Sequence, residues 1–96
     1  MADHRQPSLY SEPHALDDHE KEVFSKAMGG HVGFEYTPKL VSTQFVAGIN
    51  YRYIANYKKL DGNQDTGEAI VTIYEELPEY GRKVAVLDIM IDKYPS

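Results

Sequence analysis

The chain has 96 residues, of which fifteen are acidic and ten are basic, so its formal net charge at pH 7 is −5. No segment gathers enough lysine or arginine to follow a phosphate backbone, and no apolar run is long enough to span a bilayer, so we expect neither a nucleic-acid nor a membrane partner. The absence of cysteine excludes disulfides, a cysteine nucleophile and thiolate metal sites, favours a cytoplasmic location and leaves secretion open.

The first segment, residues 1–13, has little periodicity and contains Pro7 and Pro13. Prolines of this kind hold a chain extended. We therefore predict a flexible N-terminal arm, and its one apolar pair, Leu9-Tyr10, is the place where we expect it to make a contact.

A helix is predicted over residues 15–28, because apolar residues recur there with a period of 3.6. Asp17 and Glu20 have the spacing of a capping box. Gly29-Gly30 predicts a left-handed end to the helix. The apolar face comprises Leu16, Val23, Phe24, Ala27 and Met28.

Four later segments alternate apolar and polar residues, which is the pattern of strands that bury one face. They are residues 31–43, 49–57, 68–76 and 83–91. Pro38 within the first strand indicates an edge or a bulge. Turns are predicted around Gly62 and over residues 77–81. In the last strand, strict alternation assigns one face to Ala85, Leu87, Ile89 and Ile91.

These elements predict a single α+β domain over residues 1–96, with one N-terminal helix packed on a four- to five-stranded antiparallel sheet. Glu75 and Glu76 are adjacent in a strand, so their side chains point to opposite faces, and we expect both on solvated surface.

The tip of the first hairpin, residues 44–48, is unusually apolar. Gly48 supplies the positive φ that a tight return needs. Hairpin tips usually carry polar residues, whereas this one carries Phe45 and Val46. Two explanations are open at this point: either the tip folds back and Phe45 joins the core, or a partner covers it.

The segment Gln44-Phe45-Val46-Ala47-Gly48 resembles the Gln-x-Val-x-Gly motif of the cystatin superfamily of cysteine-protease inhibitors. The order of the elements is similar to that of the stefins, the members without disulfides, and Leu77-Pro78 falls where that family has Leu-Pro in a second hairpin. Among the features that differ from the family pattern, the arm has no glycine, and Phe45 stands where valine is more common.

The resemblance implies a cystatin-like fold and a reversible, non-covalent inhibitor of papain-like cysteine proteases, which blocks the active-site cleft with the arm and the two hairpins. By the same resemblance, the protease-binding residues are Ser8, Leu9, Tyr10, Gln44, Phe45, Val46, Ala47, Gly48, Leu77 and Pro78. Gln44 is expected to brace the hairpin.

Other classes of function find less support in the sequence. The four histidines are scattered, and His19-Glu20 lacks the second histidine of a zinc-protease helix because residue 23 is Val23. We therefore expect no enzyme, no metal and no cofactor. A non-inhibitory binding module on the same scaffold stays open. We expect a monomer, with a domain-swapped dimer as the alternative if the first hairpin is strained.

Overall fold

The computed structural model describes residues 9–30, 33–60 and 65–92. Within them the chain forms α1 (Asp18–Met28), β1 (Phe34–Val46), β2 (Gly48–Lys59), β3 (Thr66–Glu75), a 3₁₀ turn (Pro78–Tyr80) and β4 (Val84–Asp92). The strands build one antiparallel sheet in the order β1-β2-β3-β4, and α1 packs on one face of it. The predicted α+β fold, with one helix on an antiparallel sheet, is confirmed, and the sheet has four strands.

The core lies between α1 and the inner face of the sheet. Alternate residues of β2 and β3 point inward, as their period of two predicts, and α1 adds Val23, Phe24 and Met28. The phenyl ring of Phe24 meets the ring of Tyr53 edge-on, with centroids 4.8 Å apart. The buried apolar residues that the sheet points inward are Val41, Tyr51, Tyr53, Ala55, Tyr57, Ala69, Val71 and Ile73.

The helix begins three residues later than the sequence predicts. The Asp17 side chain accepts a hydrogen bond from the Glu20 backbone N–H, and the Glu20 side chain accepts one from the Asp17 backbone N–H, so the predicted capping box is present. The helix does not start earlier because its N-cap Asp17 is extended, with φ −86° and ψ 179°. Before it, His14 exchanges two backbone hydrogen bonds with Val41, at 2.9 and 3.0 Å.

The predicted left-handed end of the helix is wrong. Gly29 keeps the right-handed backbone values of the helix, with φ −64° and ψ −21°. Among the described residues that follow the helix, the first positive φ is that of Gly33. The turn predicted around Gly62 lies outside the described residues.

Two irregularities shape the sheet. The register of β1 against β2 shifts between Pro38 and Leu40, and β1 is an edge strand of the sheet, as the proline predicts. A second shift, between Thr72 and Ile73, leaves Leu87 as an extra residue in β4. Strict alternation in β4 is therefore wrong. The bulge instead turns Val84, Val86, Ile89 and Ile91 toward the core and leaves Leu87 exposed.

No helix in the described ranges is both long enough and apolar enough to cross a membrane.

Candidate binding surface at the hairpin tips

The tip of the β1–β2 hairpin is a very tight return. Val46 pairs directly with Gly48, which leaves Ala47 as the one residue outside the strands. Gly48 has φ 128°, a value that residues with a side chain rarely adopt. A Cβ at this position would also lie 2.5 Å from the Glu75 carbonyl oxygen. Glycine is therefore required at position 48 by both conformation and space.

Side-chain hydrogen bonds from β2 and β3 brace this tip. The Tyr74 hydroxyl donates to the Ala47 carbonyl oxygen. The Asn50 Nδ2 donates to the Gln44 Oε1 at 3.0 Å, across the β1–β2 pair. Each bond ties the loop or its base to a strand, so the tip is held in shape before any partner binds.

The second turn, between β3 and β4, lies beside this tip. Its 3₁₀ helix is closed by a hydrogen bond from the Tyr80 N–H to the Leu77 carbonyl oxygen at 3.0 Å, and Gly81 follows with φ 104°. A cavity of about 260 Å³ separates the two turns, and its walls include Gly48, Leu77 and Pro78. The two predicted hairpin segments are therefore neighbours.

The N-terminal arm reaches the same end of the sheet along the outer edge of β1. The Ser11 N–H donates to the Thr43 carbonyl oxygen at 2.8 Å, and the Thr43 N–H donates to the Ser11 Oγ at 3.0 Å. The Tyr10 ring stacks under the Arg52 guanidinium, whose central carbon is 3.9 Å from the ring centroid. Leu9 is 89% exposed. Ser8 lies outside the described residues.

The apolar residues of the tip face solvent. Phe45 is 64% exposed and Val46 is 37% exposed, so the explanation that places Phe45 in the core is wrong. It fails because the tip extends past the end of the helix-covered core. We call the surface formed by Leu9, Phe45, Val46, Ala47, Leu77 and Pro78 the tip surface.

Two buried carboxylates beneath the tip surface were not expected from the sequence. Glu75 is only 4% exposed, so its predicted solvated position is wrong. Its Oε1 accepts a hydrogen bond from the Tyr51 hydroxyl at 2.7 Å and lies 3.1 Å from the His19 Nε2. Burial is the largest cause that raises the pKa of the Tyr51 phenol, and the hydrogen bond to the Glu75 carboxylate is the second. The cluster joins α1 to the base of both turns.

The second buried carboxylate, Glu20, connects α1 to the arm. Its Oε2 lies 2.9 Å from the His14 Nε2, and its backbone carbonyl accepts a hydrogen bond from the Tyr53 hydroxyl at 2.7 Å. The hydrogen bond to Glu20, and then one to the Glu12 carbonyl, raise the pKa of His14 above its ordinary value of 6.5.

A signal for both carboxylates was present in the sequence patterns. Glu20 falls four residues after Leu16 and three before Val23, on the apolar face of the helix. Glu75 continues the inward series of β3, two residues after Ile73. The histidine partners could not be found in this way, because His14 precedes the helix of Glu20 and His19 is 56 positions from Glu75.

No group of three or more histidine, cysteine, aspartate or glutamate side chains within residues 9–30, 33–60 and 65–92 is arranged to hold a metal ion.

No protein-family model, no curated protein and no solved structure matches this chain. Its function therefore has to be inferred from its own residues.

Proposed function

We propose that this protein is a reversible, non-covalent inhibitor of papain-like cysteine proteases and that the tip surface fills the active-site cleft of the enzyme. The observation that carries the proposal is the common location of three separate chain segments. The arm, which is hydrogen-bonded through Ser11 to Thr43 of β1, the tip at residues 45–47 and the second turn at Leu77-Pro78 all lie toward one end of the sheet.

The side chains of the tip surface are of a type that can be buried in a cleft from which water is excluded. Leu9, Phe45 and Val46 expose apolar side chains, and no charged side chain stands at the outermost residues 45–47. Burial of such side chains in a partner stabilises a complex by roughly 25 cal/mol for each Å² removed from water.

The rigidity of the tip favours tight binding. The braces from Tyr74 to Ala47 and from Asn50 to Gln44 fix the loop in advance. A loop that is already ordered loses little conformational entropy when it binds, so more of the contact energy appears as affinity.

The shape of the tip also explains how such an inhibitor escapes cleavage. A protease attacks a carbonyl that is held close to its nucleophile in a defined attack geometry. Here the chain reverses within one residue, and the Ala47 carbonyl is occupied by the Tyr74 hydroxyl. The tip therefore fills the cleft without offering a peptide bond in the attack position.

The test is steady-state inhibition of papain by the wild-type chain and by Val46→Asp. A buried charge at the centre of an interface costs at least about 2 kcal/mol, so we expect at least roughly 30-fold weaker inhibition. Leu60→Asp is the matched control, because Leu60 is exposed at the opposite end of β2. We expect that control to inhibit like the wild type. Circular dichroism shows whether each variant is folded.

Absence of inhibition by the folded wild-type chain at about 10 µM contradicts the proposal. Loss of inhibition in both aspartate variants contradicts the assignment to the tip surface. The first result favours a non-inhibitory binding module on the same fold, whereas the second leaves inhibition standing and removes the tip surface as its site. Mass spectrometry after long incubation with papain gives a separate test, and the bound chain should remain uncut at residues 45–48.

A further inference from the structure

The face of the sheet that points away from α1 carries an apolar row across all four strands. Leu40 pairs with Ile54, Ile54 with Ile70, and Ile70 with Met90. We call Leu40, Ile54, Ile70 and Met90 the outer row. Three of its members are exposed, Leu40 by 36%, Ile70 by 37% and Met90 by 59%.

The outer row differs in polarity from the rest of its face. The neighbouring positions on each strand are polar, as expected for the solvated side of a sheet that has one helix-covered face. A strand needs no apolar residue there, yet each of the four strands places one at the same level. Leu87, the bulged residue of β4, is also exposed, by 57%. An apolar row that crosses every strand of an otherwise polar face is a candidate interaction site.

Charges flank the outer row with a definite polarity. On one side of it, Arg52 lies on β2 and Asp88 on β4, with Thr72 between them. On the other side, Lys39 of β1 reaches Glu68 of β3, with their Nζ and Oε2 atoms 2.7 Å apart. Of these four flanking charges, the two cations belong to the β1–β2 half of the face and the two anions belong to the β3–β4 half.

We infer that the outer row is the contact face of a homodimer whose two-fold axis runs parallel to the strands, between β2 and β3. This axis places the β1–β2 half of one copy over the β3–β4 half of the other. Leu40 then meets Met90 of the second copy, and Ile54 meets Ile70. The two outer members of the row, Leu40 and Met90, have flexible side chains, and the two central members are isoleucines. The order of side-chain types is therefore similar from either edge of the sheet, so the row of one copy is complementary to the row of another.

The flanking charges select this axis over the other face-to-face choice. With the axis along the strands, Arg52 of each copy, whose charged guanidinium lies over the Tyr10 ring of its own arm, approaches Asp88 of the other, and opposite charges meet. With the axis across the strands, the two flanking rows exchange places. Arg52 then approaches Lys39 of the other copy, and Asp88 approaches Glu68, so like charges meet.

The size of the face sets the expected strength. Four strands about 4.8 Å apart, each contributing about five residues, give a patch of roughly 19 by 17 Å. The area of this patch, about 320 Å², is below the roughly 800 Å² that each partner buries in a standard interface. We therefore expect a weak dimer with a dissociation constant on the order of 100 µM. Such a dimer exchanges rapidly, unlike a domain-swapped one.

This inference goes beyond the proposed function and does not depend on it. The dimer buries the outer face, whereas the tip surface lies at the end of the sheet. An axis along the strands leaves both tip surfaces free and pointing in the same direction.

Sedimentation equilibrium from about 10 µM to about 2 mM tests the dimer directly. We expect a reversible shift from the monomer mass to the dimer mass in the wild-type chain. Ile70→Lys places a charge in the middle of the outer row, so we expect that variant to remain monomeric. A wild-type chain that remains monomeric over the whole range overturns the inference.

A charge-swap experiment tests the axis. Arg52→Asp alone and Asp88→Arg alone each place like charges opposite one another twice in the dimer. We expect each to dimerise at least roughly tenfold more weakly than the wild type. An equimolar mixture restores both attractive pairs in the heterodimer, so we expect it to regain a dimerisation constant near that of the wild type.

Lys26→Asp and Glu22→Arg are the matched controls, because they make the same changes of net charge on exposed positions of α1. We expect both to dimerise like the wild type. Three results overturn the inference: a dimer that persists in Ile70→Lys, a mixture that does not recover, or controls that weaken the dimer as much as the swaps do. The first would point to a domain-swapped dimer, and a wild-type monomer would leave the face to a different protein partner.

Discussion

Tyr74 on β3 donates its phenolic proton to the carbonyl oxygen of Ala47, the one residue that turns the chain from β1 into β2. The bond joins two elements 27 positions apart in sequence. The Tyr74 ring also lies directly over Gly48, where an added Cβ would come within 2.7 Å of the ring. One side chain therefore controls both the position and the packing of the tip.

Tyr74→Phe keeps the ring and removes only the hydroxyl. We expect it to lower the free energy of unfolding by about 0.5–1.5 kcal/mol, the usual contribution of one hydrogen bond. Because the Ala47 carbonyl is released, amide exchange at residues 46–48 should become faster. Tyr80→Phe is the control, since Tyr80 is 69% exposed. Equal exchange rates at the tip in Tyr74→Phe and the wild type would contradict the role of the brace.

Gly48→Ala should be strongly destabilising. The new Cβ would lie 2.5 Å from the Glu75 carbonyl oxygen, in a backbone conformation with φ 128°. We expect a loss of about 2–4 kcal/mol in urea unfolding, because both the strain and the clash act at once. Gly30→Ala is the matched control, because a Cβ there meets no atom within 4 Å. A similar small loss in both variants would show that the tip relaxes around the side chain.

Tyr51→Phe and Tyr53→Phe remove the hydroxyls of two buried tyrosines whose rings stack 5.9 Å apart. The Tyr51 hydroxyl donates to the Glu75 carboxylate, whereas the Tyr53 hydroxyl donates to the Glu20 backbone carbonyl. Loss of a donor to a buried carboxylate costs about 1–3 kcal/mol, and loss of a donor to a neutral acceptor costs about 0.5–1.5 kcal/mol. Chemical unfolding should therefore rank Tyr51→Phe as the more damaging change, and the reverse order would contradict this account of the Glu75 cluster.

The His14–Glu20 pair predicts a pH-dependent stability. The pKa of His14 is raised in the folded chain, so its stabilising effect is complete below its unfolded value of about 6.5 and is lost as the pH rises through the folded value. We expect His14→Gln to lower the melting temperature more at pH 5.5 than at pH 8.5. The effect should be small, because the His14 side chain is 43% exposed.

Glu20→Gln gives an independent check of that pair. Glutamine retains the hydrogen bond of the capping box and removes the charge. The pKa of His14, measured by NMR titration, should therefore fall toward 6.5 in this variant. A His14 pKa that does not change would assign the shift to the Glu12 carbonyl, the second cause of the raised value.

Local patterns in the sequence predicted those parts of the molecule that local physics determines. The inward series of β2 from Tyr51 to Tyr57, the capping box of Asp17 and Glu20, and the positive φ of Gly48 each depend on the residue itself or on close neighbours. All six residues of the tip surface are among those that the resemblance implies, and all six lie in the described part of the chain. Their meeting at one end of the sheet follows from the order of the strands.

The sequence could not supply the features that depend on distant partners. The bulge at Leu87 is a property of the β3–β4 pair. Alternation within β4 alone places Ala85 and Leu87 on the same face as Ile89 and Ile91, whereas Val84 and Val86 are the residues that pack on the core with them. The burial of Glu75 becomes favourable only because Tyr51 and His19 converge on it from β2 and α1. The attachment of the arm to Thr43 likewise needs a strand more than thirty residues away.

The hydrogen bonds of Ser11 and His14 along β1 also bear on how long the protein survives in the presence of proteases. An uncovered strand edge is a template on which other chains can add, and it leads to aggregation. A cut before Ser11 leaves that edge covered, whereas a cut after His14 uncovers the backbone of Val41 and Thr43. The site of trimming, more than the length removed, thus decides whether the shortened chain stays dispersed or begins to aggregate.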